Sequence, residues 1–310
     1  MNVLKVPIML KCARALQAAL IALLILLPAF SHAAIEVQDD AGHTLVLPQP
    51  ARRIISMAPH VTELLFAAGG GDRIVGVMNF SDYPAAAKQL PLIGSNAQVD
   101  IERVLAARPD LVIVWQGGTA ARQVDQLRRL GVPIFYSEQH QLDDVATSLI
   151  RFGQLLGTNA QAQAAARDFR QKIALLAQKY ARRPPVRVFY QIWDRPLYTL
   201  SGRHVAGAAI RLCGGRNIFE MQGVMAPSVG IEAVLAANPE VIFSGVRHDS
   251  RDAGIDLWRP YTGLLAVGRD NLFRLDGDLL TRAGPRIADG VASMCEKLEL
   301  ARQRRPPGGR

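Results

Sequence analysis

Short apolar runs separated by helical segments recur along most of this chain. In the first half they lie at 52–57, 74–78, 111–115 and 132–137, and in the second half at 186–192, 241–245 and 271–275. Apolar runs of this length between helical patterns are typical of parallel strands that helices cover on both faces. The pattern therefore predicts an α/β fold in each half of the chain.

An internal repeat relates the two halves. Residues 100–115, DIERVLAARPDLVIVW, match residues 230–245, GIEAVLAANPEVIFSG, with seven identities. Each copy has the pattern of a short amphipathic helix, a proline that stops it and an apolar strand. An offset of 130 residues is too long for a solenoid repeat. The match predicts two similarly built lobes.

Residues 158–183 predict one long helix between these lobes. Its apolar positions form a single stripe, at Phe169, Ile173, Leu176, Ala177 and Tyr180. Pro184 and Pro185 follow and end the helix. At 1.5 Å per residue it would be about 35 Å long, the width of a domain. We therefore expect two Rossmann-like α/β lobes, at 34–157 and 184–300, joined by this connecting helix.

The first 33 residues have the pattern of a cleaved secretory signal. Three basic residues precede an apolar run at 15–30, and small residues at 31 and 33 allow cleavage after Ala33. The alternative is an uncleaved anchor, but the run is short for a bilayer and contains Pro28. We expect an exported protein that is not embedded in the membrane.

Composition and charge narrow the function classes. Hydrophobic residues make up 49% of the 310 residues, which excludes a disordered chain. The formal charge of +9 falls to +6 without residues 1–33, because 33 cations then face 27 acids. The arginines are dispersed, and we expect 301–310 to be a disordered basic tail. With 6% aromatic residues, nucleic-acid binding is not expected.

The sequence contains no motif of a common hydrolase or nucleotide-binding enzyme. G-x-S-x-G, H-E-x-x-H and G-x-x-x-x-G-K-[ST] do not occur, so we do not expect an enzyme. The histidines beyond residue 33 are scattered and form no metal-binding loop: His43, His60, His140, His204 and His248. We expect no metal site, although His60 or His140 remains a candidate ligand of a cobalt or iron centre.

Two cysteines remain after the signal is removed. Cys213 and Cys295 form an even pair in an oxidising compartment. They form either one disulfide or two separate buried thiols, and the residues alone leave both possibilities open.

Several motifs resemble, in matching order, the periplasmic binding proteins of ABC importers for metal chelates and cobalamin. They are TELLFAAG at 62–69, SDYP at 81–84, RPDLVIVWQGG at 108–118, LCGGRNIF at 212–219 and RAGPRI at 282–287. The likeness is greatest to the cobalamin-binding members and covers nearly all of the mature chain. It implies the class III binding-protein fold, a periplasmic monomer and a ligand held between the lobes.

The resemblance also implies a cargo and a partner. The cargo would be cobalamin or a related corrinoid, and haem or an iron–siderophore chelate is the alternative. The partner would be an ABC permease dimer with its ATPase subunits, and neither catalysis nor a resident cofactor is implied. The family disulfide pairs the positions of Cys213 and Cys295.

Four residues match ligand-contacting positions of the family. Phe80 takes the place of a stacking tyrosine, and Tyr198 that of a phenylalanine. Asp278 and Arg282 match a polar pair, and their i, i+4 spacing would put both on one helical face. The alternatives are core packing for the aromatics and a surface ion pair for Asp278 and Arg282.

Two departures leave the exact ligand open. Asn96 and Ala226 stand where the cobalamin-binding members have tryptophans. Losing two stacking faces weakens binding unless other aromatics compensate. The chain offers Trp115, Trp193 and Trp258 as candidates.

The repeat carries one glutamate per lobe at equivalent positions. Glu102 and Glu232 are each third in their copy, early in the predicted helix. In the resembling family these positions hold the glutamates that dock onto arginines of the two permease subunits. The alternative is that each carboxylate complements the dipole of its helix.

Overall fold

The computed structural model of the chain describes residues 34–95, 98–119, 121–246 and 254–306. The predicted signal at 1–33 lies outside these ranges, as do Asn96 and His248. Within these ranges, no helix has the length and apolar character needed to cross a bilayer.

The first half forms a parallel sheet covered on both faces. Its strands are β3 (Ile54–Ser56), β4 (Ile74–Met78), β5 (Leu92–Gly94), β6 (Leu111–Trp115) and β7 (Ile134–Ser137), in the order β5-β4-β3-β6-β7. Neighbouring residues of β3 pack into different cores, Ile54 on one side and Ile55 on the other. Both faces are therefore buried, which explains the continuous apolar runs.

A hairpin and four of the described helices complete this N-terminal lobe. The hairpin pairs β1 (Ile35–Gln38) with β2 (Thr44–Leu47). The helices are α1 (Pro59–Ala67), α2 (Ile101–Ala106), α3 (Ala121–Arg129) and α4 (Leu142–Leu156).

The second half repeats this plan as a C-terminal lobe. Its strands are β8 (Val186–Asp194), β9 (Leu197–Thr199), β10 (Gly215–Asn217), β11 (Val241–Val246) and β12 (Leu272–Asp276). The order β10-β8-β11-β12 is parallel, and β9 pairs with β8 as an antiparallel hairpin. The helices are α6 (Val205–Leu212), α7 (Ile231–Ala237), α8 (Leu265–Gly268), α9 (Gly277–Thr281) and α10 (Ile287–Gln303). The predicted α/β class is confirmed in both halves.

A helix of 22 residues, α5 (Asn159–Tyr180), lies between the two sheets in sequence. From the predicted stripe, Phe169 and Tyr180 are buried, while Ile173 and Leu176 pack against the core at half exposure. The apolar stripe thus holds the helix against both α4 and α10.

The repeat is present in three dimensions. Each copy forms a short helix, α2 or α7, which leads into a central strand, β6 or β11. Arg108 and Asn238, which are equivalent in the repeat, both adopt left-handed backbone angles, with φ of 45° and 42°. The same turn therefore follows the helix in each lobe.

Cys213 and Cys295 form a disulfide that ties the end of α6 to the middle of α10. Of the two possibilities that the residues left open, the disulfide is confirmed, and with it the pairing that the resemblance implied.

The expected start of the disordered tail needs correction. Helix α10 continues to Gln303, and three arginines beyond residue 301 bind the body of the lobe. Arg302 donates to the Pro184 carbonyl at 2.8 Å, and Arg305 donates to the Glu240 carboxylate at 2.9 Å. Arg304 donates to the Asn271 side-chain oxygen at 3.3 Å. These bonds order residues 301–306, and residues 307–310 lie outside the described part of the chain.

Candidate functional site: the cleft between the lobes

The predicted ligand residues lie on segments that follow the carboxyl ends of strands. Phe80 comes directly after β4, Tyr198 lies in the hairpin that leaves β8, and Asp278 and Arg282 follow β12. Open α/β sheets bind ligands at this edge. The structure therefore places all four on the side of the sheets that suits a binding cleft.

Phe80 has an unusual backbone. Its φ is 64° and its side chain is 47% exposed, a conformation that bulky residues rarely adopt. The next residue, Ser81, is buried, and its hydroxyl lies 3.1 Å from that of Thr62, which is 2.8 Å from that of Ser56. This chain of hydroxyls anchors the loop to α1 and β3 while Phe80 projects outward.

Asp278 and Arg282 form the ion pair that their spacing predicted, at 3.2 Å. Arg282 also reaches the other lobe, where its Nη1 donates to Asp82 at 2.6 Å. Burial alone would lower the pKa of Arg282, but the hydrogen bond to Asp82 and the charge of Asp278 raise it. Burial would likewise raise the pKa of Asp82, and the bond to Arg282 lowers it. Phe80, Asp278 and Arg282 thus share one region of the cleft.

A second ion pair joins the lobes beside the first. Arg286 donates from Nε and Nη2 to the two oxygens of Glu63, at 2.9 and 2.5 Å. The Glu63 side chain is 2% exposed, and the Arg286 guanidinium lies 3.9 Å from the centre of the Tyr83 ring. Burial would lower the pKa of Arg286, but the hydrogen bond to Glu63 raises it.

Tyr198 lies beside an exposed tryptophan. It is opposite Trp193 in the register of β8 and β9, and Trp193 is 58% exposed. Residues opposite one another in an antiparallel pair point to the same face. The segment that contains Ala226 runs along β9, since Thr199 N donates to Pro227 O at 3.1 Å. Tyr198 therefore lies on the strand beside the segment where the family tryptophan is replaced, and Trp193 lies one strand further away.

The other two candidate tryptophans have different surroundings. Trp258 is fully buried against Phe189, and its Nε1 donates to Gln191 at 2.7 Å. Trp258 therefore cannot replace a stacking face, and that expectation is wrong because the ring completes the core of the C-terminal lobe. Trp115 is half-buried and donates to Glu138 at 3.2 Å.

A small cavity of about 20 Å³ lies between the lobes, lined by His60 and Trp115 on one side and His204 on the other. The His60 ring packs edge-on against Trp115, and its buried Nε2 has no hydrogen-bond partner among the described residues. Burial, followed by the charges of His204 and Arg282, lowers the pKa of His60 to about 3. Burial and the charge of His140 lower the pKa of His204 to about 4. Both histidines are therefore neutral near pH 7.

His140 contributes a contact between the lobes. It is exposed, and its Nδ1 lies 3.1 Å from the Arg203 carbonyl. Within the described residues, no three histidine, cysteine or acidic side chains are grouped so as to hold a metal ion.

Glu102 and Glu232 occupy corresponding places in the two lobes. Each is exposed in the first turn of its helix, α2 or α7. Helix α2 starts beside the carboxyl end of β5, because Asp100 N donates to Ile93 O at 2.8 Å. Helix α7 follows the segment that pairs with β9, through Val229 N and Leu197 O at 3.0 Å. Both carboxylates are thus on the cleft side of their sheets.

The charged residues that link the lobes were not singled out from the sequence. They are Glu63, Asp82 and Arg286, within the motifs TELLFAAG, SDYP and RAGPRI. A signal was available at Glu63, because a carboxylate within an apolar helical run needs a partner when it is buried.

Known proteins match the chain over most of its length. A profile of the periplasmic binding protein family matches residues 54–278. The vitamin B12-binding protein of Vibrio parahaemolyticus serotype O3:K6 is 36% identical over 83% of this chain and 93% of its own. That of Yersinia pestis (strain Pestoides F) is 38% identical over 82% of this chain and 89% of its own.

Solved structures agree with these matches. The periplasmic vitamin B12 binding protein BtuF of Vibrio cholerae has a TM-score of 0.77 and 38% identity, covering 82% of this chain and 99% of that chain. A periplasmic heme binding protein from Pseudomonas aeruginosa has a TM-score of 0.68 and 28% identity, covering 79% and 91%. The resemblance inferred from the motifs is confirmed.

Proposed function

Because this chain belongs to the periplasmic binding protein family, we propose that it captures cobalamin or a related corrinoid between its lobes and delivers it to an ABC permease. The observation that carries the proposal is that Arg282, paired with Asp278, bonds across the cleft to Asp82, which lies two residues after Phe80. The vitamin B12-binding relatives, at 36–38% identity over most of their length, support the corrinoid as cargo.

The cleft offers both kinds of contact that a corrinoid needs. A corrin ring is broad and flat, so aromatic faces hold it, and Phe80, Trp193 and Tyr198 supply such faces. Trp193 would take over the stacking role that Ala226 cannot fill, because β9, the strand opposite Trp193, also borders the segment that contains Ala226. Arg282 and Asp278 bind polar groups at the rim of the ring.

Capture involves an exchange of partners. Without ligand, Arg282 is held by Asp82 of the other lobe at 2.6 Å. A ligand between the lobes competes for this guanidinium, while the deeper pair of Arg286 with Glu63 keeps the lobes aligned. The exchange replaces one set of charged contacts with another and needs no chemical turnover.

Delivery depends on the two glutamates of the repeat. Glu102 and Glu232 are exposed, one in each lobe, on the cleft side of the sheets. Two equivalent carboxylates suit a permease dimer with two-fold symmetry. First-turn carboxylates also stabilise their helices by about 0.3–1 kcal/mol, and the two roles are compatible.

Haem is the second candidate cargo. The loss of a tryptophan at Ala226 and the 28% identity to a heme binding protein both favour testing it. The exposed aromatics on the hairpin of β8 and β9 would stack on a porphyrin as well as on a corrin.

Titration of the purified mature chain with cyanocobalamin, haem and a ferric siderophore tests the proposal. We expect saturable binding of the corrinoid with a dissociation constant in the micromolar range or below. This corresponds to a favourable binding free energy of about 8 kcal/mol or more. Arg282→Gln should weaken it at least about tenfold, whereas Arg274→Gln, at an exposed ion pair with Asp256, should not. Absence of saturable corrinoid binding, with or without haem binding, would contradict the assignment of the cargo.

A further inference from the structure

The C-terminal lobe carries a groove lined with arginines at the amino ends of its strands. Its volume is about 760 Å³, and its cationic lining residues are Arg187, Arg269, Arg302 and Arg305, with Glu240 as the acid among them. Arg187 also lines an adjoining hollow of about 300 Å³ together with Arg216. The two spaces share Arg187, and together we call them the arginine groove.

The carboxylates of the arginine groove already accept hydrogen bonds from arginines. Glu240 accepts from Arg269 at 3.1 Å and from Arg305 at 2.9 Å. In the adjoining hollow, Glu220 accepts from Arg211 at 2.9 Å. Each carboxylate therefore serves arginines other than Arg187 and Arg216.

Arg187 and Arg216 are left as an uncompensated pair of like charges. They are partners in the register of β8 and β10, so their side chains leave the same face of neighbouring strands about 5 Å apart. Both are exposed, and neither guanidinium makes an ion pair or hydrogen bond with any residue that the structure describes. Like charges in this arrangement destabilise a sheet, and an anion would remove that cost.

The equivalent arginine of the N-terminal lobe, Arg53, has a different role, because it bonds within its own lobe. Arg53 and Arg187 have equivalent positions in the two lobes. In the N-terminal lobe Asp110 N donates to Arg53 O at 2.9 Å, and in the C-terminal lobe Glu240 N donates to Arg187 O at 2.9 Å. The Arg53 guanidinium, however, donates to the Ala107 carbonyl at 2.7 Å and so ends helix α2. Arg187 makes no equivalent bond, and its guanidinium faces the groove.

The walls of the groove are preformed. Arg302 and Arg305 bind the carbonyls of Pro184 and Pro185, at 2.8 and 2.5 Å. These bonds hold the end of α10 against the segment that enters β8, and proline fixes the backbone there. A ligand would meet ordered arginines instead of a flexible charged tail.

We propose that the arginine groove binds a phosphate-bearing anion at a site separate from the cleft. Guanidinium groups form two parallel hydrogen bonds with phosphate. A phosphate group has enough oxygens to serve two neighbouring guanidinium groups at once, which a carboxylate with two oxygens does less well.

The groove and the cleft are at opposite ends of the lobe. Arg187 is the second residue of β8 and Asp194 the last, so about 23 Å of strand separates them. Glu232 is on the cleft side, so an anion in the groove leaves the proposed permease-docking surface free. The proposal does not depend on the identity of the cargo in the cleft.

Calorimetric titration with pyrophosphate at about 20 mM salt tests the proposal, since screening is weak there. We expect saturable binding to the mature chain. Arg187→Gln combined with Arg216→Gln should weaken it at least about tenfold. Arg187→Lys should weaken it less, because the charge stays while the paired hydrogen bonds are lost.

The matched control removes two exposed arginines of α3, Arg122→Gln with Arg129→Gln, and should leave pyrophosphate binding unchanged. Thermal unfolding of each variant verifies the fold. Equal binding by both double variants, or no binding by the unaltered chain, would overturn the proposal.

A second arm distinguishes a soluble anion from a lipid headgroup. Vesicles of phosphatidylglycerol and of phosphatidylcholine are sedimented with the protein. Retention on phosphatidylglycerol alone that pyrophosphate reverses identifies a headgroup as the source. Pyrophosphate binding without retention on vesicles identifies a soluble anion, and either result supports the site.

Discussion

Arg286 and Glu63, 223 residues apart in sequence, form a two-pronged ion pair that fastens the start of α10 to the middle of α1. The carboxylate is almost fully buried, so its charge depends on this partner and on Arg282, whose Nη1 lies 3.5 Å away. The neighbouring pair of Arg282 with Asp82 is more open, since the Asp82 side chain is 49% exposed. The lobes are therefore linked by a buried contact at Glu63 and by the bond of Arg282 to Asp82, in which the carboxylate is exposed and the guanidinium is largely buried.

Removing one partner of the buried pair should destabilise the protein strongly. Arg286→Met leaves the buried Glu63 carboxylate only its longer contact with Arg282, at 3.5 Å, and we expect a loss of about 3 kcal/mol in the free energy of unfolding. Urea denaturation measures it. Arg286→Met with Glu63→Gln should recover a large part of the loss, because the buried carboxylate is then neutral and Arg282 keeps its bond to Asp82. A single variant within about 0.5 kcal/mol of the unaltered chain would contradict this.

The buried histidines between the lobes should make stability depend on pH. In the unfolded chain both titrate near pH 6.5, whereas in the folded chain the pKa of His60 is about 3 and that of His204 about 4. The unfolded state therefore binds more protons between pH 6.5 and 4, and stability falls as pH falls through that range. We expect a loss of about 2 kcal/mol for each histidine, or about 4 kcal/mol for the two, between pH 7.5 and 5.

Substitutions of these histidines test the cause of the pH dependence. His204 caps α6, because its Nδ1 accepts from Ala206 N at 3.1 Å. His204→Asn keeps a capping side chain without a titrating group, and with His60→Gln it should reduce the dependence. His43→Gln, at an exposed histidine, is the control. Glu138 and Arg282 also face this region, and both are kept in the variants. If the unaltered chain, the His60→Gln/His204→Asn variant and the His43→Gln variant show equal pH dependence of stability, His60 and His204 are not its source.

The disulfide should stabilise the C-terminal lobe without serving the ligand. It closes a loop between residues separated by 82 positions, which corresponds to about 4.5 kcal/mol by chain entropy. Cys213→Ser with Cys295→Ser should lower the free energy of unfolding by about 2–5 kcal/mol. Corrinoid affinity should change less than about twofold, because the bridge joins α6 to α10 and both of its cysteines are buried. A large loss of affinity in a variant that remains folded would place the bridge in the binding mechanism.

The sequence predicted the helices and strands of the internal repeat, which depend on local pattern. It did not predict the contacts between the lobes, which depend on how the lobes are placed. The copies at 100–115 and 230–245 predicted two helices and two strands, and the left-handed turns at Arg108 and Asn238 show that the likeness extends to the backbone. The ion pair of Glu63 with Arg286 has no local pattern, because the two residues meet only when both lobes are folded and aligned.

The sequence also did not predict which aromatic side chains are buried. Trp193 and Trp258 are equally apolar in sequence, yet one is 58% exposed and the other fully buried. The difference arises because a short 3₁₀ helix at Ile255–Trp258 turns the second ring into the core against Phe189. The motif residues Asp278 and Arg282 were placed correctly relative to each other, since their contact depends only on helical spacing.

The two glutamates of the repeat should be needed for transport and not for ligand binding. Glu102→Ala with Glu232→Ala should abolish corrinoid uptake by cells that depend on this protein, while corrinoid affinity of the purified chain stays unchanged. The reason is that both carboxylates are exposed and neither makes a side-chain hydrogen bond or ion pair within the described residues, so docking is what their removal affects. Glu36→Ala with Glu296→Ala, which also removes two exposed carboxylates, is the control and should transport normally. Each single variant should retain part of the transport, because one lobe can still dock. Weaker corrinoid binding by the double variant, or normal uptake, would refute the docking role.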